Sequence, residues 1–400
     1  MRLGEICEFV ETIALSRSQL QADHGVGCIH YGDIHTKFND RLDCSTIQLP
    51  MAESGIVVGV PRLKTGDLVI ADASEDMKGV GKGIEILGIP ENGVVAGLHT
   101  AVLRPQAGLF AKGFLGQLQH MPKFKEQARV LASGLKVYGL SKTSISKIFV
   151  EIPPLREQKA IAEALSDADA AIESLDALIS KKRDVKQAAM QQLLTGRTRL
   201  PGFTADWKEV RLGEHASFFK GNGLSKSQLI DDGPQQCVHY GELFTHYGPV
   251  IETVTSKCVA FEGSFKSLAG DVLMPGSDVT PRGLATASAI KVSDVVLGGD
   301  VIVIRTKPTS LYGPFLSNFI RMSKGRVLRL VKGSTVYHIH AKDLADLEVL
   351  MPPLKEQGAI AEALSAMDDE LEALTEQGLK LRMVKDGMMQ DLLTGKVRLV

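Results

Sequence analysis

Residues 153–200 read PPLREQKAIAEALSDADAAIESLDALISKKRDVKQAAMQQLLTGRTRL, and residues 352–399 read PPLKEQGAIAEALSAMDDELEALTEQGLKLRMVKDGMMQDLLTGKVRL, the two aligning without a gap at a constant offset of 199. An internal repeat constrains a fold more than local propensity does. Each copy reads as one long helix: two prolines open it, where the missing N–H has no intrahelical partner, and Gly196 or Gly395 follows the last apolar residues as a stop. Ile161, Leu165, Ala168, Ile172, Leu175 and Ile179 recur at alternating steps of four and three, as do Ile360, Leu364, Met367, Leu371 and Leu374. Such a heptad seam asks for a partner helix. It falters at Lys182 and Gly378 and resumes in a shifted phase through Val185, Ala189 and Leu193, and through Leu381, Val384, Met388 and Leu392, the pattern of a stutter. Both copies start acidic and end basic, which suits each helix dipole and makes them complementary only when antiparallel. The plainer alternative is two independent helices, each packed on its own domain.

With 400 residues and 44% apolar content the chain can form two or three domains with proper cores. It shows no signal-peptide pattern and no apolar run of membrane-spanning length, so a soluble cytoplasmic protein with no membrane partner is expected. The five cysteines, Cys7, Cys28, Cys44, Cys237 and Cys258, are odd in number and contain no C-x-x-C pair, which fits free thiols in a reducing compartment. A net charge of −1 does not announce a nucleic-acid binder, so any such surface is local.

The segments preceding the long helices are repeats too. Arg2-Leu3-Gly4-Glu5 recurs as Arg211-Leu212-Gly213-Glu214, LSRSQL at 15–20 as LSKSQL at 224–229, and Cys28-Ile29-His30-Tyr31-Gly32 as Cys237-Val238-His239-Tyr240-Gly241, all at an offset of 209. Gly66-Asp67 matches Gly270-Asp271, Val94-Val95 matches Val295-Val296, and Val137-Tyr138 matches Val336-Tyr337, with the offset shrinking to 199. Strands are expected at 55–60, 66–71, 148–152, 270–274, 301–305 and 347–350, with one helical stretch per half at 113–131, bent or broken at Pro122, and at 314–331. The layout is an α/β fold with a pseudo-twofold internal repeat: a globular domain at 1–152, a long helix at 153–200, a linker and second domain at 201–351, and a long helix at 352–400. The linker at 200–207, LPGFTADW, has no counterpart before Met1, and the repeat arithmetic places both chain ends together.

Signatures of catalysis fail. Gly79-Val80-Gly81-Lys82-Gly83 and Thr394-Gly395-Lys396-Val397 break the phosphate-loop pattern, and neither G-x-S-x-G nor H-E-x-x-H occurs. Cys28/His30 and Cys237/His239 form repeated Cys-x-His pairs, but no second pair completes a metal site in either half. What remains is two different globular heads joined by a helical rod of roughly 60 Å at ~1.5 Å per residue, a geometry suited to duplex DNA carrying two separated marks.

The repeated Pro-Pro-Leu-x-Glu-Gln opening a helix that ends in Leu-Leu-Thr-Gly resembles the conserved regions of specificity subunits of type I restriction-modification systems, and the globular halves resemble their target-recognition domains. The resemblance implies a non-catalytic subunit that binds double-stranded DNA, one half of a split asymmetric target per domain. It further implies a rod that sets the spacer and docks two methyltransferase subunits, which bring S-adenosylmethionine, with a restriction/translocase subunit joining for cleavage. Rivals are the equivalent subunit of a system with a fused methyltransferase-nuclease partner, and a coiled-coil scaffold that binds proteins. Base contacts do not transfer with the resemblance, so candidates are chosen on physical grounds. Ser16, Arg17 and Gln19, with Ser225, Lys226 and Gln228, form a repeated polar and basic motif suited to phosphates. Lys78 and Lys82, with Thr280 and Arg282, lie in corresponding loops where base contacts are expected. Lys136 and Tyr138, with Lys332, Tyr337 and His338, precede the last strand of each half.

Overall fold

In each half, short β-branched runs bounded by Gly and Pro form a buried antiparallel core. In a computed structural model, which describes all residues except 22, 260, 261 and 400, the first half forms strands Cys7–Val10 (β1), Arg41–Asp43 (β2), Leu68–Ala71 (β3), Gly83–Gly88 (β4) and Thr100–Pro105 (β5). They are ordered β1-β5-β3-β4-β2, antiparallel except for β4 and β2. The second half repeats this with Ala216–Lys220 (β6), Val250–Ile251 (β7), Val272–Pro275 (β8), Ser288–Ile290 (β9) and Val301–Thr306 (β10), ordered β6-β10-β8-β9-β7 with the same directions. In both, a second small sheet sets the Cys-x-His strand parallel to the Val-Val strand, Cys28 opposite Val95 and Cys237 opposite Val296. The repeated Gly-Asp has a structural job. Asp67 and Asp271, both 1% exposed, each accept two hydrogen bonds from an arginine of the neighbouring strand, Arg104 at 2.8 and 2.7 Å and Arg305 at 2.9 and 2.8 Å.

The longer helices are Pro122–Leu131 (α1), Leu155–Leu193 (α2), Gly313–Met322 (α3) and Leu354–Leu393 (α4). The chain divides into one unit of Met1–Asp176 with Gln377–Val400 and another of Ala177–Glu376. Within each, the head of one long helix runs antiparallel to the tail of the other. In the first, Glu157 pairs with Arg398, Asp169 with Lys385 and Asp176 with Arg382; in the second, Glu356 pairs with Arg199, Asp368 with Lys186 and Glu370 with Lys182. Ile161 and Leu165 are buried in a core that includes Phe114 and Leu392, and Ile360 and Leu364 in one that includes Phe315 and Leu193. Heads of the helices therefore pack on their own domain and on the other helix at once. Ile172, Leu175, Leu371, Leu374 and Met367 are half-buried, while Ile179 is buried.

The Pro-Pro-Leu-x-Glu-Gln motif locks each helix head. Gln158 accepts from Ala111 N at 2.8 Å and donates to Leu109 O at 3.1 Å and Pro153 O at 2.9 Å. Gln357 repeats this with Tyr312 N at 2.8 Å, Ser310 O at 2.9 Å and Pro352 O at 2.8 Å. The neighbouring Glu157 and Glu356 are buried, and each receives two hydrogen bonds from the arginine that follows Leu-Leu-Thr-Gly.

Several boundaries differ from the sequence reading. Residues 55–60 form turns, with Gly59 at φ +79°, and not a strand. The stretch at 113–131 is a 3-10 segment, Leu115–His120, followed by α1, which begins at Pro122 because proline suits a first turn. The stretch at 314–331 breaks at Ser323 into α3 and Lys324–Leu328. Glu348–Met351 is a strand because Lys208–Arg211 pairs with it, whereas at 148–152 only Phe149 forms a bridge, to Arg2. The Met1 amine donates to Val150 O at 2.9 Å while Arg398 reaches Glu157, so both chain ends meet the same segment.

Candidate nucleic-acid interface

In the first unit the helix Tyr31–Thr36 is the hub. His30 Nδ1 accepts from Gly32 N at 3.2 Å and so caps this helix, which explains the Cys-x-His spacing: cysteine in the sheet, histidine at the cap. Burial, then the Arg17 charge, pulls the His30 pKa down; with Nδ1 accepting, the neutral ring carries its proton on Nε2 as a donor. Arg17 reaches Asp33 on the first turn at 2.8 Å, and Lys37 reaches it at 2.9 Å. Burial opposes the Asp33 charge, but the hydrogen bonds from Arg17 and Lys37 more than offset it and hold the carboxyl below its usual range. His35 Nε2 lies 2.8 Å from Ala73 O, and Lys82 Nζ donates to His35 O at 3.1 Å. Burial draws the Lys82 pKa down, with Asp40 acting against it. Tyr138 pairs with Ser74 across a two-residue antiparallel ladder, so the Lys78/Lys82 loop and the Lys136/Tyr138 loop are joined neighbours. Lys78 and Lys136 are exposed.

The second unit builds the same frame with different side chains. Tyr337 pairs with Asp278 and His338 with Ser277, bringing Thr280 and Arg282 beside Lys332, Tyr337 and His338. Thr280 donates to Asp278 at 2.7 Å, Lys332 Nζ bonds Asp343 at 2.9 Å, and Arg282 is exposed on a short 3-10 turn. The loop tips have identical geometry: Gly134 at φ +127° and Gly333 at φ +118° stand where a Cβ would lie 1.9 Å from Val137 O or 2.2 Å from Val336 O, so only glycine fits.

The Ser-basic-Ser-Gln motif is placed differently. Ser16 and Gln19, like Ser225 and Gln228, spend their side chains on a reciprocal capping box around a 3-10 turn. Arg17 is held by Asp33, whereas the equivalent acid Glu242 turns to His239 N and Ser256, leaving Lys226 without an ion pair among the described residues. Residues that sequence reasoning missed complete the face. Tyr31 stands edge-on to His99 with centroids 5.2 Å apart and to His35 at 6.3 Å; Tyr240 meets Phe244 at 6.3 Å. His99 is exposed, lies 3.3 Å from Asp72 and holds a φ of +53°, costly for a side-chain-bearing residue. The repeated His-Tyr was a signal for Tyr31 and Tyr240; nothing in the sequence marked His99. Among the described residues no group of three His, Cys, Asp or Glu side chains is placed to hold a metal ion.

Each unit sets the head of one long helix antiparallel to the tail of the other beside a five-stranded sheet of the same order, and each carries a polar loop face of its own composition. The chain matches the family described as type I restriction modification DNA specificity domain over residues 91–181 and 204–381, and it belongs to that family of specificity subunits. It is 25% identical over 354 residues to the type I restriction enzyme MjaX specificity subunit of Methanocaldococcus jannaschii, covering 84% of this chain and 80% of that one. It is 27% identical over 184 residues to the EcoKI specificity subunit of Escherichia coli, covering 46% of this chain and 38% of that one. In fold it resembles the S subunit of a type I restriction-modification system from M. genitalium, with a TM-score of 0.57 at 13% identity over 98% of this chain and 95% of that one. A chain from a study of type I system assembly and conformational transition gives 0.59 at 18% identity, covering 98% and 96%. No described helix is long and apolar enough to cross a membrane.

Proposed function

We propose that the two globular domains, residues 1–152 and 201–351, each read one half of a split, asymmetric DNA target. The long helices set the spacer and dock two methyltransferase subunits, which supply S-adenosylmethionine and the chemistry, and a restriction subunit joins that complex. The chain itself contributes no catalytic group. The observation that carries this reading is the contrast between equivalent positions on one scaffold. Tyr31 and Tyr240, Lys78 and Arg282, and Tyr138 and Tyr337 keep their character, which fits sequence-independent positioning. His35 is replaced by Phe244, Lys82 by Thr286, His99 by Asp300 and Lys136 by Thr335. A frame that is kept while its hydrogen-bonding groups change suits two different base readouts, since donors such as His99 and acceptors such as Asp300 match different base edges. Phosphate contacts are assigned to Arg17, Lys226, Lys78, Arg282, Tyr138 and Tyr337, and base contacts to Lys82, Lys136, Thr280, Lys332 and His338 together with His99 and Asp300. The test is co-expression with a methyltransferase subunit from the same host and mapping of methylated bases. Modification confined to one split, asymmetric motif is expected; a complex that forms but leaves no such motif refutes the recognition role.

A further inference from the structure

The loop that carries Lys136 also carries the most exposed large apolar side chain among the described residues. Leu135 is 95% exposed, and Val137, two residues on, is 55% exposed. On either side Leu131, Ala132 and Tyr138 pack against the core around Phe124, so the leucine is not left outside for want of a core beside it. The turn that holds it is closed. Ser133 N donates to Gly139 O at 3.0 Å and Gly139 N to Ser133 O at 2.7 Å, after which Leu140 N donates to Asp72 O at 2.8 Å. Asp72 N in turn donates to His99 O at 3.1 Å, so the loop and His99 are fixed to the same residue. Single exposed leucines are ordinary on protein surfaces, but this one is held at the apex of a fixed turn, next to Lys136 and on a loop paired with the Lys78 loop.

The second unit builds the same turn with a different apex. Lys332 N donates to His338 O at 2.9 Å and His338 N to Lys332 O at 2.7 Å, and Gly333 takes the positive φ of Gly134. Ser334, Thr335 and Val336 stand where the first unit has Leu135, Lys136 and Val137. Val336 is 44% exposed and Ser334 is exposed. Turn and valine are therefore kept, while the apex changes from an isobutyl group to a hydroxyl.

We propose that Leu135 selects a thymine in the half-site read by the first domain, packing against its C5 methyl group in the major groove. The inference rests on the recognition reading above and adds to it a specificity-determining residue that no charge or hydrogen-bonding group marks. Base edges in the major groove present donors, acceptors and one apolar group, the thymine methyl. A leucine makes no hydrogen bond, so that methyl is the group on a base edge that it complements, and their contact takes from water apolar surface that the free chain leaves exposed. The other use of an apolar tip is a wedge driven between base pairs, which costs unstacking. The second unit favours the methyl contact: a serine at the same apex is a general base-edge hydrogen-bonding residue, so Leu135 and Ser334 exchange one groove contact for another, whereas a wedge has no hydroxyl equivalent.

The experiment uses the full-length chain assembled with methyltransferase subunits and a duplex bearing the motif mapped by methylation. Each thymine of the motif, on both strands, is replaced in turn by deoxyuridine, which lacks only the C5 methyl, and affinities are compared by competition. In the unsubstituted complex one replacement, confined to one half-site, is expected to weaken binding by about fourfold, the worth of about one methyl group taken out of water. Leu135→Ala and Leu135→Ser, which truncate an exposed side chain and leave the core untouched, are expected to bind the thymine duplex more weakly by a similar factor and to lose the distinction between thymine and deoxyuridine at that position. The proposal is overturned when no replacement matters, or when the distinction survives both substitutions. A loss in the variants that is the same on thymine and deoxyuridine duplexes assigns a wedge and overturns it too. Variants that no longer assemble, where the unsubstituted chain does, place the leucine against the methyltransferase subunit and have the same force. An unsubstituted complex that prefers no sequence refutes the recognition reading itself, and this shows before any substitution is made.

Discussion

Replacing Gln357 by leucine keeps the side-chain size and removes the hydrogen bonds that fasten the head of α4 to its domain. Gln357 is fully buried and satisfies Tyr312 N, Ser310 O and Pro352 O at 2.8–2.9 Å. Each typical hydrogen bond contributes about 1 kcal/mol net, and a buried group left without a partner costs about 1–3 kcal/mol. Methyl contacts of the leucine recover part of this, so the expected loss is about 2–4 kcal/mol. For a unit of this size that corresponds to a Tm lower by roughly 5–15 °C. A chain of two units need not unfold in one step, so calorimetry is paired with native-state amide exchange, where the Tyr312 N–H should lose protection selectively. Gln158→Leu should do the same at Ala111, because its three bonds repeat those of Gln357. A loss below about 0.5 kcal/mol, the range of inert surface changes, or unchanged protection at Tyr312, would refute the idea that the motif exists to clamp the helix head.

Lys78→Ala and Arg282→Ala, both in exposed loop positions, should weaken binding of the assembled complex to all DNA sequences and reduce the salt slope by about 1 each; an unchanged slope removes them as phosphate contacts. His99→Ala should relax one base position of one half-site, at a cost of about 1–3 kcal/mol in discrimination, read as a degenerate position in the mapped motif; a motif that stays fully specified excludes it. All five cysteines are buried, and burial pushes the thiols of Cys7, Cys28, Cys44 and Cys237 up to about 12. Alkylation at neutral pH should therefore be slow until denaturant is added, and rapid labelling of the native chain would contradict the packing. Asp33 and Asp40 hold their protons less tightly when folded: burial opposes this in both, but Arg17 and Lys37, or His120, more than offset it. Their stabilisation is present above the ordinary aspartate range, near pH 4, and is lost as pH falls below it. Buried Glu85 shifts the other way and acts against them. In acid titrations followed by circular dichroism, Asp33→Asn should flatten the decline; an equally steep decline would mean that the Arg17–Asp33–Lys37 cluster does not set it.

Much of the architecture was legible because it is written twice. The two copies of Pro-Pro-Leu-x-Glu-Gln and Leu-Leu-Thr-Gly, their seams and their graded charge specify long antiparallel helices through local forces, proline at a helix start, glycine at its stop and an apolar stripe, and the chain forms Leu155–Leu193 and Leu354–Leu393. The repeated Gly-Asp, Cys-x-His-Tyr and Val-Tyr likewise marked equivalent places in two domains. Their jobs were not legible: His30 caps its helix and His239 accepts from Gly241 N just ahead of the equivalent one, the aspartates hold arginines from neighbouring strands, and the serines and glutamines close capping boxes. A candidate binding role and a local structural role use the same residue types, and only the partner atom distinguishes them.

By itself, then, the sequence determined the repeat, the helices and the family. Tertiary structure decided which polar residues are spent on the fold and which face solvent, and it brought His99 beside Tyr31, the Lys78 loop beside the Lys136 loop, and Trp207 onto Glu356. The physical reason is sequence separation. Helix periodicity and capping are encoded within a few residues, whereas strand pairing joins positions about sixty residues apart, Tyr138 to Ser74 and Tyr337 to Asp278.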